Sequence, residues 1–290
     1  GGGLAAPDVG SYDAVLKPLM MERRDDEMLR RFEQMGTEGL RPLESHFRLA
    51  ISACANLRQG GRAAALLLRM QQDGLRYQDA AADAMSACCR EGHPDLALDI
   101  FESVRREVPA SAAAADARGA DSIFVMNSAL EALRRRRSAA EAAELLGTMG
   151  DGGGGGGGVA GGVAPDERSF AVVLAACREA AQWDALPGVL ATLAAACSRD
   201  AAAAPPLLRS ERVHAELIAA FGRLGEPHRS VALLRQLLAS NLPLTQRPFD
   251  ATLAALGPRG LHGGAGGALE VLRAGLERGV WGDDPLGWRG

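Results

Sequence analysis

A unit of about 35 residues that returns seven times constrains this chain more than any single residue does, because a missed repeat misassigns the whole fold. Each unit reads as an aromatic or bulky residue, an aliphatic pair three and four residues later, an Ala/Cys-rich turn of helix, a short break with Gly or Arg, and a second amphipathic segment. Tyr12, Val15 and Leu16 open the first unit, Phe32 and Met35 carry its second segment, and Gly39, Leu40, Arg41 and Pro42 close it. The aliphatic pair returns as Ala50/Ile51, Ala84/Met85, Ala129/Leu130, Val173/Leu174, Leu217/Ile218 and, more weakly, Thr252/Leu253. Leu67/Met70, Phe101/Val104, Leu146/Met149, Leu190/Leu193 and Leu234/Leu237 repeat the spacing of Phe32/Met35, and a three-residue step sets each pair on one helical face.

Units begin near Val9, Glu44, Gln78, Ile123, Glu167, Glu211 and Gln246, with 1–8 as the tail of a preceding repeat and 285–290 as a closing tail. The seven repeats are expected at 9–43, 44–77, 78–122, 123–166, 167–210, 211–245 and 246–284, the last degenerate. The third, fourth and fifth are longer because each carries a low-complexity insert: Ala-rich around 110–120, Gly-rich at 152–158 and Ala/Pro-rich at 201–206. All three inserts fall after the second helix, where a surface loop lengthens at little entropic cost. Helices of a dozen residues joined by short turns cannot bury their apolar faces alone, so neighbours must stack. The expected fold is all-α, a right-handed α-solenoid of about seven helix-turn-helix repeats with one concave groove. Gly39, Gly74 and Gly279 stand where a left-handed helix end is wanted, and Pro42 and Pro165 where the chain leaves the helix.

Composition agrees with small-residue helices rather than strands: hydrophobic residues make up 47% of the 290, aromatics only 4%, and there are 36 glycines. The formal charge of -4 supplies no global field toward nucleic acid or an acidic membrane, so anion binding would have to be local. Lys17 is the only lysine, and the excess of Arg, Ala and Gly looks like a coding bias that weakens any argument from arginine number. The five cysteines (Cys54, Cys88, Cys89, Cys177, Cys197) have no CxxC spacing, which argues against a disulfide framework and a zinc site and fits a reducing compartment. No apolar run approaches the roughly 20 residues of a membrane span. Opening on Gly1, the chain reads as an excerpt whose targeting segment would lie outside it.

The strings SYDAVLKPL, MNSALEALRRRRSAAEAAELLGTM and SFAVVLAACREAAQWDALPGVLATL, with the closures GLRPL and GVAPDE, resemble the pentatricopeptide repeat family. A tetratricopeptide unit differs in wanting Trp, Leu, Gly and Tyr at set places of its first helix, where this chain has Leu16, Ile51, Leu130, Leu174 and Ile218. The resemblance runs from about Ala6 to Asp284, plain in the first, second, fourth and fifth units and frayed in the third and seventh. It extends to the repeat region of proteinaceous organellar RNase P.

The resemblance implies binding of single-stranded RNA, one base per repeat, in a chloroplast or mitochondrion, in the service of RNA processing, stability or translation. The base would be read by the residue after the first-helix aromatic together with the residue after the closing proline. The fourth unit supplies Asn127 and, after Pro165, Asp166, a pair that in the family favours uracil. Asp13, Arg48 and Asp250 hold the reading position elsewhere, and Ala82, Ala171 and Ala215 hold it without a group able to specify a base. Arg90, Arg135, Arg178 and Arg223, near first-helix ends, are candidates for phosphate contact. No enzyme activity, cofactor, metal or small-molecule substrate is expected, nor a membrane.

Plainer readings stand beside these. Asn127 and Asp166 equally suit a solvated helix start and a turn, and cations near a helix C-terminus are favoured by the macrodipole. Cys54, Cys88 and Cys177 read as small buried hydrophobes. The five histidines form no HExxH, and the run Gly152 to Gly158 has no following GK[ST], so neither a zinc protease nor a phosphate loop is indicated. The acidic charge and the alanines at reading positions leave a protein-interaction solenoid as one alternative, and the RNA-gripping arm of a larger RNA-processing enzyme as another.

Overall fold

A computed structural model of the chain describes residues 8–107, 123–149, 163–199, 210–239, 244–263, 271 and 273–275. The three low-complexity inserts and Gly279 lie outside them.

The described residues form helices in tandem pairs: α1 (Val9–Met21) with α2 (Asp25–Thr37), α3 (Glu44–Asn56) with α4 (Gly60–Gln72), and α5 (Gln78–Glu91) with α6 (Pro94–Glu107). These are followed by α7 (Ile123–Arg135) and α8 (Ala139–Thr148), α9 (Glu167–Ala180) and α10 (Leu186–Arg199), and α11 (Glu211–Arg223) and α12 (Pro227–Ala239). The last is α13 (Arg247–Gly263), broken at Gly257. No strand occurs among the described residues, and none of their helices is long and apolar enough to cross a membrane.

The chain divides into two compact units, one holding α1 to α7 and the other α8 to α13. In the first, every helix packs on its successor, and the first helices α1, α3, α5 and α7 pack on one another in series. In the second, α8 packs on α9 and α10, and α9, α11 and α13 form the corresponding series, with α12 against both α11 and α13. Each helix thus touches only near neighbours in sequence, the contact pattern of a repeat solenoid.

The buried face is the periodic one. Leu16, Ile51, Met85, Leu130, Leu174 and Ile218 are each 0–1% exposed, and with Phe32/Met35, Leu67/Met70, Phe101/Val104, Leu146/Met149 and Leu234/Leu237 they form the cores. Two expectations shift. Val15 is 44% exposed, since α1 packs on the first helix α3 and has no first helix on its other side among the described residues. In α10 the buried stripe is Leu186, Val189 and Leu193 with Leu190 only half-buried, because the 3-10 turn Trp183–Ala185 rotates the start of that helix.

One left-handed residue interrupts each hairpin: Arg23, Arg58, Gly92, Arg137, Ala181, Gly225 and Gly257, all with φ between 56° and 101°. It reverses the chain while the last carbonyls of the first helix stay satisfied, as in Gln59 N–H to Cys54 O at 2.9 Å and Glu226 N–H to Phe221 O at 2.9 Å. Gly39 and Gly74 do the same at the ends of second helices.

Candidate nucleic-acid interface

In the first unit the series α1, α3, α5, α7 sets Asp13, Arg48, Ala82 and Asn127 at one register position, each just after a core-facing residue. Asp13 is held on both sides. It accepts from His46 Nε2 at 3.0 Å and pairs with Lys17 at 3.2 Å. The His46 ring is wholly buried, and its Nδ1 accepts the Leu43 N–H at 3.0 Å, which leaves Nε2 as the protonated nitrogen facing Asp13. The Lys17 hydrogen bond, aided by the Lys17 charge and the His46 hydrogen bond, keeps the Asp13 carboxyl below its ordinary range.

Arg48 is exposed and acts on Asp83 of α5. Desolvation pushes the Asp83 carboxyl up, while Arg48 and Arg90 pull it the other way. Ala82 is half-buried, and its carbonyl accepts from the Ser128 hydroxyl at 3.4 Å. Asn127 is 3% exposed, so its amide belongs to the α7 interior rather than to open solvent.

The helix-end arginines of this unit are engaged. Arg90 Nη1 donates to Ala55 O at 3.1 Å, tying α5 to the last turn of α3. Glu131 takes Arg134 through Nε at 2.9 Å and Nη2 at 2.6 Å, and Arg135 through Nε at 3.0 Å. Desolvation pushes the Glu131 carboxyl up, but the hydrogen bonds and charges of the two arginines outweigh it and hold it below its ordinary value. Among the described residues no group of three or more His, Cys, Asp or Glu is placed to hold a metal ion.

A sequence model described as PPR repeat matches residues 84–107, the second half of α5 and all of α6. That stretch is similar to a pentatricopeptide repeat. The match falls in the third unit, which had read as frayed: Gln78–Asp83 lacks the aromatic start, but Met85, Cys88, the turn glycine Gly92, Phe101 and Val104 keep the repeat's spacing. Two solved structures share the fold, both of the pentatricopeptide repeat protein PPR10 in complex with an 18-nt psaJ RNA element, one of them with three Cys→Ser substitutions. Each is 20% identical, with a TM-score of 0.50, and the match covers 94% of this chain and 34% of the other. The chain thus spans about a third of the length of those it matches. No curated protein matches it.

Within the second unit, Asp166 is exposed at the N-cap of α9, where its carboxylate accepts the Ser169 N–H at 2.8 Å and the Ser169 hydroxyl at 2.9 Å. That is a capping box, and it fixes the carboxylate whatever else Asp166 does. Ala171 is buried, Ala215 half-buried and Asp250 exposed. Arg178 donates through Nε to Glu216 of α11 at 3.0 Å, and Arg223 is exposed in the last turn of α11.

The reading from sequence passed over three other cations, Arg168, Arg212 and Arg247, all exposed in the first turns of α9, α11 and α13. Counting back two residues from the bulky first-helix residue in every repeat would have aligned them.

Proposed function

We propose that this chain is a segment of a pentatricopeptide repeat protein that binds single-stranded RNA by occupancy, without chemistry of its own. What supports the reading is the match of residues 84–107 to a PPR repeat and the shared solenoid fold, joined to one observation: within each unit the first helices pack side by side in register, so equivalent side chains recur once per hairpin. A polymer of identical linkages is the natural ligand for such spacing. Asp13, Arg48 and Asp250 reach solvent at the reading position. The role we assign is in processing, protection or translation of RNA in a chloroplast or mitochondrion, either alone or as the gripping arm of a longer enzyme. The test is fluorescence anisotropy at low salt against a pool of random RNA oligonucleotides: micromolar or tighter binding is expected, and no binding refutes the proposal. For the base-reading role, Arg48→Ala should shift the ratio of affinities for oligo(U) and oligo(A), an effect that a loss of stability alone does not produce.

A protein-interaction solenoid is the second reading, favoured by how fully the helix-end cations are matched inside the protein, Arg134 and Arg135 to Glu131 and Arg178 to Glu216. Recovery of RNA after crosslinking in cells would rule it out as the main role.

A further inference from the structure

The second unit carries arginines at one register position of all three first helices in its series. Arg168, Arg212 and Arg247 each stand two residues before a buried ring, Phe170, His214 and Phe249. All three are exposed, and none enters an ion pair among the described residues. That separates them from Arg135 and Arg178, whose guanidinium groups are taken up by Glu131 and Glu216.

Their level along the helices is fixed by contacts. Glu211 at the start of α11 accepts the Thr245 N–H at 3.1 Å and also the Thr245 hydroxyl, just ahead of α13. Further along, Gly222 lies so close to α13 that a methyl group on it would come within 2.8 Å of Ala255 Cα. These pairs are 34 and 33 residues apart, and Arg212 and Arg247 are 35 apart, so the two arginines sit side by side. α9 packs on the other flank of α11, joined by Arg178 to Glu216, and places Arg168 one residue after its own start as α11 places Arg212. Packed helices lie about 8–10 Å apart, within which long arginine stems adjust freely.

The neighbouring acids leave this row largely unmatched. Asp166 is committed to Ser169 and Glu211 to Thr245, and Glu167 is exposed beside Arg168. An arginine-rich composition would scatter cations over both units. In the first unit the same position holds Gly10, Ser45, Asp79 and Phe124.

We propose that Arg168, Arg212 and Arg247 form a ladder that grips the phosphodiester backbone of single-stranded RNA along the second unit, one guanidinium per hairpin, an inference that rests on the RNA-binding reading above. A guanidinium fork matches phosphate oxygens in pairs, and one cation per repeat suits a chain with one anion per nucleotide better than it suits an acidic peptide of irregular charge. The net charge of -4 makes such a local row the means by which the chain can attract a polyanion.

The test compares the full chain with R168Q/R212Q/R247Q and with R30Q/R41Q/R76Q, which removes the same charge from exposed positions of the first unit. Affinity for oligo(U) and for a random RNA pool is followed against salt by anisotropy, with circular dichroism and Tm as checks on folding. Each phosphate contact with a single strand contributes about 0.7 to the slope of log affinity on log salt, so the ladder variant should lose roughly two units of slope and the control less than half of one. If the parent chain binds RNA and the ladder variant keeps its slope, the ladder is wrong and the RNA reading survives. Equal losses in both variants would reduce the effect to overall charge and also overturn the ladder. If the parent chain binds heparin or an acidic peptide but no RNA, both proposals fall.

Discussion

Arg23, Arg58 and Arg137 hold φ of 60°, 58° and 61°, a conformation that Gly92 and Gly225 hold in other hairpins of the same chain. For an L-residue this geometry costs about 1–2 kcal/mol, because Cβ crowds the following carbonyl oxygen. Replacing the residue with glycine removes that strain but adds conformational freedom to the unfolded chain, which returns part of the gain. The Arg58 side chain is exposed, so little packing is lost with it. Arg58→Gly is therefore expected to stabilise the first unit by about 0.5–1 kcal/mol, seen as a higher urea midpoint at unchanged m. A lower midpoint would mean that the guanidinium contributes something the left-handed geometry does not reveal.

Between elements, stability concentrates at seams where one repeat closes the end of the previous one. Glu91, at the end of α5, accepts the Gly61 N–H at 2.8 Å, one of the free donors at the start of α4. Gln182 does the same for the Ala139 N–H of α8 at 3.1 Å, and the Asn56 amide of α3 donates to Asp25 at the start of α2 at 3.2 Å. At the first of these seams Gly60 meets the backbone of α5, where a Cβ would come within 2.5 Å of Cys88 Cα. Gly60→Ala must push α4 from α5 and should cost about 1–3 kcal/mol; Glu91→Ala loses only a cap, about 0.5–2 kcal/mol. Thermal unfolding of both variants checks the order. The core face of these helices was legible from sequence because Leu16, Ile51, Met85, Leu130, Leu174 and Ile218 recur at the repeat interval, and periodicity reports burial directly. The seams were not, since a pattern that tells which face is buried does not tell which polar group 30 or 43 residues away will meet a helix end. For the same reason the engagement of Arg90 by Ala55 O, and of Arg178 by Glu216, could not be foreseen, nor the depth at which Asn127 lies.

Across the whole molecule, buried thiols give each unit its own reporter. Cys54, Cys88 and Cys89 lie in the first unit and Cys177 in the second, all buried. Desolvation pushes the first three up to about 11, about 12 and about 11, and raises Cys177 as well. Well below pH 9 these thiols are protonated in both folded and unfolded chains and leave stability unchanged. Above it the unfolded chain ionises first, so stability should fall as pH rises from about 9 toward 11–12. Denaturant midpoints measured from pH 8 to 10.5 should trace this fall, and the decline should weaken in Cys88→Ala. At pH 8 the folded thiols are nearly free of thiolate and shielded from reagent, so labelling requires local opening. Repeat proteins pass destabilisation chiefly to nearest neighbours. Gly60→Ala, struck at the α4–α5 seam, should therefore speed labelling of Cys54, Cys88 and Cys89 far more than that of Cys177, read site by site by mass spectrometry in a Cys197→Ser background. Equal acceleration at all four would mean that the two units open as one cooperative block, and that energy in this chain is not stored hairpin by hairpin.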